Sequence, residues 1–143
     1  MGTLYEDDVI AWSEQQAALL RSGHWSELDI DNIAEEIEDV GKSEKRELQS
    51  RLSVLTSHLL RWKFQPTRRA RSWKNTIREQ RTAIWQDIKK TPGLKSLISN
   101  PNWVAGAYRR ALIDTYAETS LPALPDESPW TIAEILTEEF FPE

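Results

Sequence analysis

A stripe of large apolar residues restricts the possible folds of this chain more than any other feature. Leu48, Leu52, Leu55, Leu59 and Trp62 follow one another at steps of four, three, four and three residues. Side chains at this spacing lie on one face of an α-helix, whereas a half-buried strand needs strict alternation. No alternating run in the chain extends beyond a few residues. The pattern therefore predicts an all-α protein that buries this stripe against other helices.

The helix that carries the stripe is predicted to run from about residue 30 to 64. Asp29 or Asp31 can cap its first turn, because a short carboxylate accepts from the free N–H groups there. Pro66 disfavours helical geometry at the residue before it, so the helix must end there.

A second apolar set precedes the stripe on the same helix. Ile33, Ile37 and Val40 are expected to form a buried face, but this face is out of phase with the later stripe. The helix either breaks at residues 41–43, next to Gly41, or runs on and rotates its buried side. Because no proline intervenes, the continuous helix is favoured. In that case Glu44, Glu47 and Arg51 are expected near its inward side.

A helix antiparallel to the long one is predicted at about 72–90, with Ser72 as its cap and Pro92 beyond its end. Further helical segments are expected before and after this pair. Their approximate bounds are 8–21, 92–97, 102–118 and 130–137. At 143 residues the chain fits one domain, 1–143, and we predict a single bundle of about five helices.

Composition excludes several classes of protein. The chain has no cysteine, which rules out disulfides, thiol catalysis and cysteine metal clusters. No apolar run approaches the roughly 20 residues that a membrane helix needs. The start of the chain is acidic and lacks the basic and apolar regions of a signal peptide. We therefore expect a cytoplasmic, bacterial-type protein without membrane contact.

Positive charge is concentrated in the middle of the chain. Eight Lys or Arg residues and one acid, Glu79, lie between Arg61 and Arg81, although the formal net charge of the whole protein is -5. Both ends are acidic, and residues 114–143 contain no Lys or Arg at all. The sequence leaves open whether the acidic C-terminal segment covers the basic stretch.

Three interpretations of the basic stretch remain open. Its cations can pair with acids of the same chain, bind nucleic acid, or bind an acidic protein. The interleaved aromatics Trp62, Phe64 and Trp73 could stack on bases, but their spacing also fits the core. The sequence pI of about 5.2 is low for a nucleic-acid-binding domain. The candidate binding residues are Arg61, Lys63, Arg68, Arg69, Arg71, Trp73, Lys74, Arg78 and Arg81.

A carboxylate and histidine set on the long helix is the second candidate site. Glu36, Glu47 and His58 are eleven residues apart, so they share a face. Eleven residues rise about 16.5 Å along a helix, whereas ligands bond a metal ion at about 2 Å. These three alone cannot hold one ion, and no metal or cofactor is expected. A polar network is the alternative, either as a register device or as a site, formed by Glu36, Glu47, Arg51, His58 and Gln80.

Several segments resemble one family. They are LDIDNIAEEIEDVGKSEKRELQSRLSVLTSHLLRWKFQP, RSWKNTIREQR, ETSLPALP, SPWTIAEIL and a closing FPE. The chain from about Tyr5 to Glu143 is similar to the helical family catalogued as domain of unknown function family 29, abundant in cyanobacteria and found in other bacteria. The resemblance implies a helical, single-domain fold, and it supplies no activity, cofactor or catalytic residue.

These observations favour a small, non-enzymatic interaction or regulatory module with a basic binding face at Arg61–Arg81. Its partner would be an acidic protein or a nucleic acid. The hydrophobic FFPE ending is expected to dock on the domain or on a second copy, so a homodimer is a further expectation. The alternative function is a metal-assisted hydrolase or nuclease that uses Glu and His residues of the long helix with partners from other helices.

Overall fold

The computed structural model describes residues 3–143, and every regular element in that part of the chain is helical. This confirms the all-α prediction. None of these helices combines the length and the apolar character that a membrane crossing requires. Single turns of 3₁₀ helix occupy Trp25–Glu27, Pro66–Arg68 and Pro92–Leu94. In chain order the helices are α1 (Leu4–Asp7), α2 (Val9–Ser22), α3 (Ile30–Phe64), α4 (Arg71–Lys90), α5 (Lys95–Ile98), α6 (Pro101–Glu118) and α7 (Ile132–Ile135).

The long helix α3 is unbroken through Gly41, which confirms the continuous helix from about 30 to 64. It ends at Phe64, two residues before Pro66, as the restriction on the residue preceding proline requires. Two other boundaries differ from prediction. Helix α4 starts at Arg71 rather than after a Ser72 cap, and the last helix is a single turn that opens at a capping box of Thr131 and Glu134.

The described chain divides into two compact units, with the boundary between Ser43 and Glu44. We call residues 3–43 the arm. It contains α1, α2 and the beginning of α3. Asp8 caps α2 by accepting from the N–H of Ala11 at 3.0 Å. Gly23 ends α2 with φ at 76°, a left-handed conformation that glycine adopts without strain.

Polar contacts hold the arm together. Only Trp12 and Gln16 are buried among its residues. The indole N–H of Trp12 donates to Asp29 at 2.9 Å, and the backbone N–H of Asp29 donates to Gln16 at 2.8 Å. The Tyr5 ring packs at 4.7 Å from Trp12, and its hydroxyl donates to Glu36 at 2.7 Å. The arm thus has almost no apolar core of its own.

The prediction of a buried face on the first part of α3 was wrong. Ile37 is 67% exposed and Val40 is 74% exposed, while Ile33 is half-buried. The side-chain contacts made here within the arm come from Asp29, just before α3, and from Glu36, which bond Trp12 and Tyr5. The apolar pattern was read correctly as helical, but nothing in the arm covers it.

We call residues 44–143 the body, and its core is the stripe predicted from the sequence. Leu48, Leu52, Leu55 and Leu59 are buried, whereas Trp62 is half-buried. Ile77, Ile84 and Ile88 of α4 belong to the same cluster. Arg51 of α3 pairs with Asp87, near the end of α4, at 3.0 Å. Since a short connection joins the two helices, this pairing fits the predicted antiparallel arrangement.

Helix α6 packs on another side of α3 through buried hydroxyl groups. Ser53 donates to the carbonyl of Ala107 at 3.2 Å, and the hydroxyls of Ser57 and Thr115 lie 2.7 Å apart. Small residues at these positions allow the two helices to approach closely, and their polar atoms are satisfied by each other. The inward side of α3 in the body therefore holds leucines and hydroxyls. The predicted inward charges Glu44 and Glu47 are exposed instead.

Candidate anion-binding face

Part of the basic stretch is used inside the body. Arg61 forms an ion pair with Glu118 of α6. Arg69 donates to the carbonyl of Trp62 at 2.7 Å, and its guanidinium carbon lies 4.8 Å from the centre of the Trp62 ring. These contacts join the end of α3 to α6 and to the turn that follows α3. Neither residue is free to serve as a simple surface cation.

Arg81 is the most deeply buried cation, with 2% of its surface exposed. Its guanidinium donates to three backbone carbonyls of the C-terminal segment, those of Ile135 at 2.8 Å, Glu138 at 3.1 Å and Phe140 at 2.7 Å. Burial lowers the pKa of Arg81 to about 10, partly opposed by the charge of Glu139. The side chain therefore stays protonated at neutral pH, and its charge strengthens the three bonds.

The C-terminal segment, residues 135–143, lies against the basic stretch through carbonyls and rings. Arg69 reaches the carbonyl of Pro142 at 3.4 Å, and the ammonium of Lys74 lies 5.4 Å from the centre of the Phe141 ring. The Phe141 ring also packs 5.2 Å from that of Trp62. Across residues 3–143, no carboxylate of this segment forms an ion pair. The acidic end thus covers one side of the basic stretch without neutralising its charges by pairing.

Three arginines of the basic stretch remain exposed. Arg68, Arg71 and Arg78 make no side-chain hydrogen bond and no ion pair to any residue within 3–143. Arg71 and Arg78 are seven residues apart and so lie on one side of α4, two turns from each other. Lys63 has only a distant contact, 5.8 Å from the ring of Phe64.

Trp85 continues the same side of α4 seven residues after Arg78, and Lys89 follows one turn later. Trp85 is 49% exposed, although its indole N–H donates to the carbonyl of Leu136 at 3.1 Å. An open hollow of about 310 Å³ adjoins it, lined in part by Gln86 and Glu138. We call Arg68, Arg71, Arg78, Trp85 and Lys89 the basic face.

The other aromatic residues of the stretch are less available. Trp73, Trp62 and Phe64 are half-buried, and Phe64 packs against the core cluster. Trp62 is further covered by Arg69 and Phe141. Consequently Trp85 is the large aromatic residue that the basic face offers to a partner.

The residues of the second candidate site do not come together in one network. Glu36 accepts from Tyr5, and His58 bonds the carbonyl of Val54 at 2.8 Å. Glu47 and Arg51 do form an ion pair at 2.8 Å, but it is largely exposed. The side-chain oxygen of Gln80 is buried and has no hydrogen-bond partner within the described chain. No three His, Asp or Glu residues among 3–143 are arranged to hold one metal ion.

His58 is expected to titrate below the usual histidine pKa of about 6.5. Burial lowers the pKa of His58, and the nearby Arg61 adds to this effect. The folded protein then favours neutral His58, so the unfolded chain takes up the proton first and stability falls as the pH drops below about 6.5. A ¹H NMR titration, assigned with His58→Gln, measures this pKa. A value at or above the usual one would contradict the environment described for His58.

Sequence reasoning missed the role of Arg81, although a signal was present. Arg81 lies four residues after Ile77 and three before Ile84, within the apolar stripe of α4. A charged residue at a core position needs buried partners. The partners are backbone carbonyls of a segment more than 50 residues away, and no side-chain pattern marks such acceptors. Trp85 gave no comparable signal, because its ring is exposed.

One comparison with known proteins identifies the family. A family model described as Domain of unknown function DUF29 matches residues 4–141, nearly the whole chain. No curated protein and no solved structure matches the chain.

Proposed function

Because the chain belongs to this family of unknown function, we propose a role from its own surface: it is a non-enzymatic interaction module whose basic face binds an acidic protein partner. The observation that carries the proposal is that Arg68, Arg71 and Arg78 are exposed and have no side-chain partner among residues 3–143. The body has acids of its own, including Glu138 and Glu139 close to Arg81. None of these acids forms an ion pair with the three arginines, so an external acid can bind them without breaking an internal ion pair.

An acidic protein fits the face better than a nucleic acid does. Binding of single strands without sequence preference relies on several rings that stack on successive bases. Here Trp62 and Phe64 are engaged internally, and Trp85 is the exposed ring. The two arginines and the lysine on α4 are spaced by seven and eleven residues, so they form a line along one side of α4 against which a second helix can lie. An acidic helix with one apolar side chain for the hollow at Trp85 would complement this arrangement.

The proposal is tested with a fluorescein-labelled 20-residue poly-glutamate, measured by anisotropy over a salt series. We expect binding at low salt that weakens as salt rises, because exposed ion pairs are screened. The triple variant Arg68→Glu, Arg71→Glu and Arg78→Glu should bind at least tenfold more weakly.

A matched control carries the same charge change at exposed positions away from the face. It is Lys95→Glu, Arg109→Glu and Arg110→Glu, and it should keep most of the binding. Equal losses in both variants would mean that net charge alone attracts the probe, which would contradict the proposal. Labelled 20-mer RNA or duplex DNA that binds more tightly than poly-glutamate, and depends on the same three arginines, would also overturn the choice of an acidic protein.

A further inference from the structure

The arm carries a surface that complements the basic face. Residues 3–43 contain eleven Asp or Glu residues and only two basic ones, Arg21 and Lys42. Residues 44–143 contain sixteen basic and twelve acidic residues. The arm is therefore strongly negative and the body positive, although the whole chain is only moderately acidic. Opposite net charges on two parts of one chain favour contact between them across molecules.

The acidic and apolar residues of the arm are ordered along α3. Asp31, Glu35 and Glu38 are exposed, and their spacing of four and three places them on one side of the helix. None of the three forms a side-chain hydrogen bond or ion pair within the described chain. Ile30 and Ile37 are two turns apart and are 66% and 67% exposed. Ile30 and Asp31 are consecutive residues, and so are Ile37 and Glu38. The apolar stripe on α3 therefore runs next to the acidic one.

This apolar stripe requires a partner. The arm buries only Trp12 and Gln16, and a unit of about 40 residues seldom folds without a partner or cross-links. Among residues 3–143, eight of the eleven exposed large hydrophobic side chains lie in the arm. Exposed apolar residues in such a concentration mark an interaction surface.

We propose that the acidic partner of the basic face is the arm of a second copy of this chain. Asp31 and Glu38 are seven residues apart, as are Arg71 and Arg78, so these acids meet the two arginines of the other molecule in register. Glu35 and Lys89 add charge of the same signs on the two surfaces, and an isoleucine of the α3 stripe covers Trp85. This inference rests on the proposed function, because it assigns a partner to the same face. Both surfaces are exposed in the single chain, so each is available to a second molecule. The same contact made twice, arm to body and body to arm, closes a two-fold dimer.

Sedimentation equilibrium over a salt series tests this pairing with two charge-reversal variants. The arm variant carries Asp31→Lys, Glu35→Lys and Glu38→Lys. The body variant carries Arg71→Glu, Arg78→Glu and Lys89→Glu. We expect the wild type to dimerise in the micromolar range and to dissociate as salt rises, and each variant alone to dimerise at least tenfold more weakly. Mixed in equal amounts, the two variants should restore the dimer, because both contacts then pair opposite charges again.

Other outcomes separate the alternatives. A body variant that dimerises as well as the wild type, with association that strengthens in salt, would show that two arms pair with each other. A wild type that stays monomeric at millimolar concentration would overturn the proposed partner. If the monomer still binds poly-glutamate through Arg68, Arg71 and Arg78, the proposed function survives and only the identity of the partner fails. Circular dichroism confirms that each variant is folded before it is compared.

Discussion

Replacing Arg81 with methionine is expected to destabilise the body by about 3 kcal/mol, the size of the effect of removing one partner from a buried charged contact. Methionine keeps most of the side-chain volume but donates no hydrogen bond. The carbonyls of Ile135, Glu138 and Phe140 would then lose their donors. The C-terminal segment can regain hydrogen bonds only by moving into water, so we expect it to detach. Urea unfolding followed by circular dichroism measures the loss of stability.

The matched control for this variant is Arg78→Met, one turn earlier on α4. Arg78 is exposed and has no side-chain partner in the part of the chain that the structure describes, so its replacement should change the stability by no more than about 0.5 kcal/mol. Deleting residues 138–143 provides a second test. If Arg81 acts by holding this segment, the deletion and Arg81→Met together should destabilise far less than the sum of their separate effects. Additive losses, or an Arg81→Met variant as stable as its control, would contradict the role described for Arg81.

Truncating Leu55 to alanine is expected to destabilise the body by about 2–5 kcal/mol. Leu55 has no exposed surface and lies in the middle of the stripe, in a core cluster to which α4 and α6 also contribute residues. Alanine removes the apolar contacts and leaves a cavity that the packed helices can fill only in part. The free energy of unfolding from a urea titration gives the loss directly.

Ile113→Ala is the control for Leu55→Ala, because Ile113 of α6 is 68% exposed. It should change the stability by no more than about 0.5 kcal/mol. If both variants lost several kcal/mol, the leucine stripe would not be the centre of the core. If Leu55→Ala lost as little stability as Ile113→Ala is expected to lose, the packing of α3 in the body would be contradicted.

The sequence predicted those parts of the fold that depend on one periodic pattern. The stripe from Leu48 to Leu59 indicated both the helix and its buried face, because leucines at this spacing can be buried together on one face of a helix. Pro66 located the end of α3 to within two residues. The continuity of α3 through Gly41 followed from the absence of proline and needed no knowledge of the packing.

The burial of the first part of α3 could not be predicted in the same way. Ile37 and Val40 form an apolar pattern as regular as that of the body, yet they are exposed. Periodicity identifies a face that can be buried, but the neighbour that buries it is set by the rest of the fold. In the arm, Trp12 and Tyr5 form hydrogen bonds with Asp29 and Glu36 and leave Ile37 and Val40 uncovered.

The candidate site was predicted in part. The sequence located the concentration of positive charge, but it could not sort the cations into internal and exposed ones. Arg61 pairs with a carboxylate that is distant in sequence, and Arg69 donates to backbone carbonyls. Arg68 and Arg71 are neighbours of Arg69 along the chain and differ from it only in their surroundings. Local composition carries no information on those surroundings.

Disulfide trapping between two single-cysteine variants tests most directly whether the acidic arm meets the basic face of another molecule. The chain contains no cysteine, so Glu38→Cys and Arg78→Cys each introduce one unique thiol. Mixed under mild oxidation, they should form more mixed dimer than either forms with itself, and high salt should abolish the excess. Thr131→Cys, at an exposed position outside both surfaces, supplies the background. A mixed dimer no more abundant than this background would contradict the contact between arm and basic face. So would Glu38→Cys chains that link preferentially to each other.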